Sequence, residues 1–208
     1  MLDPLCLSRD GEPELPTMMD DKASLLAQKQ SSAPAAVSLV GFMGAGKSTV
    51  GRALATQLGW RFEDLDDLIQ TREGRTVEDI FQQSGEAAFR DLEHLVLCET
   101  ISHMSADLLV LALGGGAFCE LHNREILREA EIPAVFLDAP VDELFLRSAQ
   151  AEIIRPLRSD PHQFRDLYQR RRPAYLEARL CIETGGKDVA SVVEEIVSGL
   201  KLVPGAPE

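Results

Sequence analysis

From Val37 onward the chain alternates short apolar runs with longer amphipathic ones. Val37-Ser38-Leu39-Val40 reads as a buried strand, and Lys47 to Leu58 as the helix that follows it. Trp60 to Glu63 predicts a second, weaker strand. Three helical stretches start at about Leu65, Val77 and Glu86, the last running to about His103. Leu108 to Leu113 (LLVLAL) is the strongest strand signal, too apolar and too short for a surface helix. A helix at about 120–130, a strand from Ala134 to Leu137 and a helix at about 141–149 come next. A polar segment rich in Arg and Pro, about 151–162, leads into a helix to about Arg179. A strand from Leu180 to Glu183 and a last helix from Asp188 complete the pattern. Strands separated by helices imply βαβ crossovers, hence an α/β fold with a five-stranded parallel sheet covered on both faces. Residues 1–35 show no sustained periodicity and read as a flexible extension; 36–202 form the domain, and 203–208 a tail.

Length and composition narrow the function classes. At 208 residues, with 45% hydrophobic and 26% charged positions, the chain suits one domain that needs no disulfide or structural metal. Its 34 acidic against 21 basic residues give a net charge of −13. Such a surface repels phosphate backbones and anionic lipid, so neither a nucleic-acid nor a membrane partner is expected. Cys6, Cys98, Cys119 and Cys181 are scattered without a CxxC pair, the pattern of free thiols in a reducing compartment. The acidic start lacks a secretory signal, and no apolar run reaches transmembrane length, so the expected location is the cytoplasm. No sustained heptad or large apolar stripe is evident, and a monomer is expected.

The chemistry begins at Gly41-Phe42-Met43-Gly44-Ala45-Gly46-Lys47-Ser48, which fits G-x-x-x-x-G-K-[ST] between a predicted strand and a predicted helix. Glycines let backbone amides curl around an anion at a helix N-terminus, Lys47 would reach the β- and γ-phosphates, and Ser48 would ligate Mg²⁺. The P-loop alone implies a nucleoside triphosphate, without separating a small-molecule kinase from a nucleotide switch. After the second strand, Asp64 and Asp66 stand at i and i+2 and would face the same crevice; the alternative is a carboxylate-rich helix N-terminus with Asp66 or Asp67 in its first turn. Arg90 and Glu93 lie on neighbouring turns, either as a solvated helix pair or as a carboxylate-binding arginine held in position. Gly114-Gly115-Gly116 follows the strongest strand, where a ligand could approach the backbone closely. Arg155-Pro156-Leu157-Arg158 and Arg170-Arg171-Arg172-Pro173-Ala174-Tyr175 concentrate guanidinium groups in an acidic chain, fitting an anion site or surface ion pairs.

The ordered series GFMGAGKST, FEDLDDLI, GRTVEDIF, GEAAFRDLE, LALGGGA, RPL and RRPAY resembles the shikimate kinases, small P-loop kinases, from about Val37 to Lys201. The resemblance implies ATP-dependent phosphorylation of the 3-hydroxyl of shikimate, with a mobile arginine-containing lid. It implies that Gly44, Ala45, Gly46, Lys47, Ser48 and Thr49 hold the nucleotide phosphates, and that Ser48, supported by Asp64, holds Mg²⁺. Asp66 would bind the ring hydroxyls and act as base. Arg90 and Arg171 would clamp the substrate carboxylate, with Glu93 holding Arg90. Gly115 and Gly116 would meet the ring, and Phe81 and Phe89 would line the pocket. Lid residue Arg155 would reach the transferring phosphoryl group, and Arg147 would stack on adenine. Arg158 departs from the family pattern, where a second apolar residue commonly follows RPL. A kinase of another small polyol or sugar acid, such as gluconate, is the nearest alternative. A GTPase-type switch would be expected to carry an N-K-x-D segment, and the chain has none.

Overall fold

The computed structural model describes residues 34–104, 108–150 and 160–205. Nearly all of the expected extension, the lid arginines Arg155 and Arg158, and the tail from 206 lie outside the described residues.

The strands form one parallel sheet: β1 (Ala36–Val40), β2 (Arg61–Asp64), β3 (Leu109–Ala112), β4 (Ala134–Asp138) and β5 (Leu180–Glu183), in the order β2-β3-β1-β4-β5. β1, β3 and β4 are buried along their whole length, which is why their sequences run apolar without alternation. The edge strands β2 and β5 are partly exposed and carry charged residues. Parallel pairing requires long crossovers, and helices supply them: α1 (Lys47–Leu58), α2 (Leu65–Glu73), α3 (Val77–Ser102), α4 (Leu121–Glu129), α5 (Val141–Gln150), α6 (Pro161–Tyr175) and α7 (Val189–Leu200). A 3-10 turn, Ala117–Cys119, precedes α4. No helix among the described residues is long and apolar enough to cross a membrane.

Side-chain caps set where these helices begin. The Asp64 carboxylate accepts the Asp66 N–H at 3.1 Å, and Thr76 and Asp79 form a reciprocal capping box. Asp160 accepts the His162 N–H at 2.8 Å ahead of Pro161, and Asp188 accepts the Ser191 N–H at 2.7 Å. Within α3 the backbone leaves helical geometry at Gly85 (φ 81°, ψ 173°), so two helical runs meet there, as the pattern predicts. α6 stops at Tyr175, short of the Arg179 expected from the sequence. Pro173 has no N–H to donate to the preceding turn. The chain then tightens through Glu177 N–H to the Ala174 carbonyl (3.1 Å) and Ala178 N–H to the Tyr175 carbonyl (3.0 Å).

β1 pairs with β3 on one side and β4 on the other. Its carboxyl end is therefore the point where the strand order reverses, and open α/β sheets bind ligands in the crevice outside such a point. The loop after β1 is anchored from below by Phe42, fully buried, whose ring meets Phe164 at 4.9 Å and Tyr168 at 5.5 Å, both on α6. The ring of Tyr175, at the end of α6, stacks on Phe136 of β4 at 5.1 Å. One helix thus packs against both the loop and the sheet.

Gly51 on α1 faces the sheet so closely that a Cβ would meet the Phe62 ring and come within 3.2 Å of Leu39. Helix propensity favours Gly51→Ala by about 1 kcal/mol, whereas overpacking typically costs about 1–3 kcal/mol. Packing should win, with a net loss of about 1 kcal/mol read as a lower urea midpoint. A raised midpoint would mean that the edge-strand ring yields freely.

Candidate active site

The loop from Gly41 to Gly46 turns tightly, with positive φ at Gly44 (79°) and at Gly46 (86°), which caps α1. Among the described residues no side chain caps the α1 N-terminus, where the first amides of the helix suit an anion. The Lys47 ammonium folds back over the loop, donating to the carbonyls of Gly41 at 2.9 Å and Phe42 at 3.2 Å. Ser48 donates its hydroxyl proton to Asp64 Oδ2 at 2.7 Å. Asp64 therefore does both things its position allowed: one oxygen caps α2 and the other orients Ser48. A hydroxyl and a carboxylate side by side next to an anion-binding loop are hard oxygen donors that fit Mg²⁺.

The opposite wall joins three elements. Asp66 comes from the first turn of α2, Arg90 and Glu93 from the second run of α3, and Gly114–Gly116 from the loop after β3. A Cβ at Gly114 would lie 2.7 Å from Asp66 Oδ1 and 2.9 Å from Glu93 Oε1, and a Cβ at Gly116 would run into the Arg90 guanidinium. A side chain at either of these two glycines would have to displace charged groups of the site. The third, Gly115, accepts a hydrogen bond from Arg171 Nη1 of α6 at 3.2 Å. Phe81 and Phe89 pack at 4.4 Å, and the Arg90 guanidinium lies over the rings of both, 5.9 and 5.2 Å from their centroids.

Arg90 and Glu93 are no solvated helix pair. Their contact is 2.6 Å, and the Glu93 side chain is 1% exposed. Glu93 Oε1 has no hydrogen-bond partner among the described residues. Burial pushes the Glu93 carboxyl up to about 7 against the pull of Arg90, with Asp66 and Glu120 pushing the same way. Burial also works against the charge of Arg90, but Glu93 and Glu86 beside it hold the guanidinium above its ordinary value.

Arg147 on α5 lines a cavity of about 170 Å³ together with Gly44, Gly46, Thr49, Thr184 and Asp188. Its guanidinium is already engaged, donating to Glu143, to the Thr184 hydroxyl at 3.3 Å and to the Thr184 carbonyl at 3.2 Å. A larger cavity, about 380 Å³, lies between β2, α2 and α3 and holds none of the expected site residues. Volume is a poorer guide here than the glycine-rich loops.

Helical geometry sorts the three consecutive arginines of α6. Arg170 is exposed, Arg171 turns to the Gly115 carbonyl, and Arg172 pairs with Asp138 at 3.0 Å. Asp138 was silent in the sequence, a lone acid at a strand end. It is 8% exposed and accepts from Tyr168 at 2.7 Å and Ala139 N–H at 3.0 Å as well as from Arg172. Burial and Asp138 push the Tyr168 hydroxyl up to about 12. Asn123 and Arg124 were also missed; they donate to the carbonyls of Ala117 (2.9 Å) and of Phe118 and Cys119 (both 2.9 Å), bracing the turn after the glycines.

A family model described as shikimate kinase matches residues 43–201. Among individual relatives, a shikimate kinase of Geobacter sulfurreducens is 42% identical over 165 residues, 78% of this chain and 88% of that protein. One of Moorella thermoacetica is 39% identical over 170 residues, 81% and 95% of the two chains. Among solved structures, shikimate kinase from Acinetobacter baumannii in complex with shikimate aligns with a TM-score of 0.73 at 38% identity, covering 83% of this chain and 95% of that one. A gluconokinase from Sinorhizobium meliloti aligns at 19% identity with a TM-score of 0.53 and shares the fold alone.

The buried Glu93 carboxyl has a direct consequence for stability. Its pKa is raised in the folded state, so from about pH 4.5 to 7 the folded chain keeps a proton that the unfolded chain has lost. Its contribution is full below that window and falls as pH rises through it. Glu93→Gln should therefore flatten the decline of the urea midpoint between pH 5 and 7. An unchanged slope would mean that Arg90 keeps Glu93 ionised throughout.

Proposed function

The chain belongs to the shikimate kinase family, and on that premise we propose how residues 36–202 transfer the γ-phosphoryl group of ATP to the 3-hydroxyl of shikimate. The observation that carries this reading is the meeting of Asp66, the Gly114–Gly116 backbone and the buried Arg90–Glu93 pair in one crevice beside the P-loop. The crevice offers a carboxylate, two guanidiniums and open backbone, which match a polyhydroxylated ring bearing a carboxylate. A substrate with hydroxyls but no carboxylate would leave Arg90 and Arg171 with no anion to bind beyond their protein partners.

The triphosphate would lie on the amides from Gly44 to Thr49, its base toward the cavity lined by Arg147 and Thr184. Lys47 would exchange its two loop carbonyls for phosphate oxygens, moving a cation onto the group that carries developing charge. Ser48 and Asp64 would hold Mg²⁺, which when bound neutralises charge on the triphosphate. On the acceptor side, Arg90 and Arg171 would grip the ring carboxylate, the Gly115 and Gly116 backbone would touch the ring, and Phe81 and Phe89 would wall the pocket. Asp66 would accept a hydrogen bond from the attacking hydroxyl and take its proton as the new O–P bond forms. Arg155 of the lid segment would complete the charge around the γ-phosphoryl group. Catalysis of this kind is mostly positioning and charge neutralisation.

The direct test is coupled ADP release from Mg·ATP with and without shikimate, with gluconate in parallel. Strong dependence on shikimate alone is expected; stimulation by gluconate instead would overturn the reading. Asp66→Asn should leave ATP binding nearly unchanged and lower kcat by about two orders of magnitude or more. Arg90→Ala should weaken shikimate binding by about 1.5–3 kcal/mol, read by calorimetry, as expected for hydrogen bonds to a charged group.

A further inference from the structure

The site just described depends on how the Gly114–Gly116 loop is oriented, and a fully buried tyrosine reaches that loop from beneath. Tyr175 is 0% exposed, at the last turn of α6, with its ring stacked on Phe136. Its hydroxyl donates to the Gly115 carbonyl, the same oxygen that accepts from Arg171 Nη1. A carbonyl oxygen has two lone pairs, and here two donors from one helix take both. The Cys119 thiol and the Arg171 guanidinium are the charged or titratable neighbours of the hydroxyl, and burial pushes its pKa well above the usual phenol range. The group is therefore a neutral donor at any working pH.

In a trans peptide the C=O and N–H of one unit point in opposite directions. Pinning the Gly115 carbonyl toward α6 accordingly aims the Gly116 N–H away from α6. Neither the Gly115 nor the Gly116 N–H donates to a backbone carbonyl among the described residues. The close approach of Gly116 to Arg90 puts this peptide at the carboxylate-binding arginine. Glycine tolerates many backbone orientations, so without outside donors this peptide would be free to flip.

Resting on the proposed shikimate site, we propose that Tyr175 is a positioning residue for the acceptor: through the Gly115 carbonyl it locks the peptide plane and shares that oxygen with Arg171, setting substrate affinity without touching substrate or nucleotide. Its effect should appear in shikimate binding and not in ATP binding, because the P-loop is anchored separately by Phe42 against Phe164 and Tyr168.

The test is Tyr175→Phe in the full chain, which keeps the stacked ring and removes only the hydroxyl. Phe164→Leu, a truncation in the same helix, serves as a control for lost stability. Shikimate Kd by calorimetry and both KM values are measured in each, with melting temperatures alongside. We expect Tyr175→Phe to raise shikimate KM and Kd about tenfold, as for one lost hydrogen bond to an aligned group, with ATP KM within twofold. Phe164→Leu should lower the melting temperature at least as much, with any rise falling on ATP KM through the P-loop anchor and not on shikimate KM. A shikimate KM within twofold of the parent in Tyr175→Phe would overturn the proposal. So would equal rises in both KM values, because they would mark a merely structural role. A parent chain without shikimate-dependent turnover would instead refute the function reading itself.

Discussion

Everything in the site follows from burying β1 between two parallel neighbours. A strand covered on both faces and paired on both sides exposes its chain only at its ends, and ligands of open α/β sheets bind at the carboxyl end where the strand order reverses. There the paths to β3 and β4 diverge and leave a crevice. The P-loop occupies that crevice because it is the next segment of chain. The glycine loop faces it because β3 ends in register beside β1. Neither loop has much structure of its own, and each is shaped by what packs under it.

α6 is the element that makes the two loops one site. Its first turns carry Phe164 and Tyr168 against Phe42 of the P-loop, and its last turn carries Arg171 and Tyr175 to Gly115. Arg172 and Tyr168 tie the same helix to Asp138, whose carbonyl accepts the Thr184 N–H at 2.7 Å beside Arg147. In a chain of net charge −13, these cations are held in place by specific partners, Arg172 by Asp138 and Arg171 by the Gly115 carbonyl. The buried Glu93 lies close to Asp66 around Gly114, and the Asp66 charge adds to the burial that raises the Glu93 pKa.

Sequence reading went furthest where one local rule was enough. The order of strands and helices, the P-loop and the break at Gly85 rest on periodicity and on glycine chemistry, and they stand in the fold. The Arg90–Glu93 pair was legible only as a spacing. Whether it was a solvated pair or a buried one turned on how α3 meets the loop after β3, a contact between residues some twenty positions apart in sequence. Asp138 and the hydroxyl of Tyr175 carried no local signal, because each acts through a partner distant in the chain, and Asn123 and Arg124 brace a turn through backbone carbonyls that no residue type marks.

By itself, then, the sequence determined an α/β domain with an anion-binding loop and a set of chemically suitable acids and arginines. Backbone preferences, hydrophobic period and motif spacing are properties of neighbouring residues, so they survive without a third dimension. Tertiary structure alone decided which of three adjacent arginines reaches the glycine loop, which carboxylate is desolvated, and which charged groups crowd Gly114 and Gly116. Those outcomes depend on burial and on contacts across elements, and both arise only when the sheet and its helices close around one core.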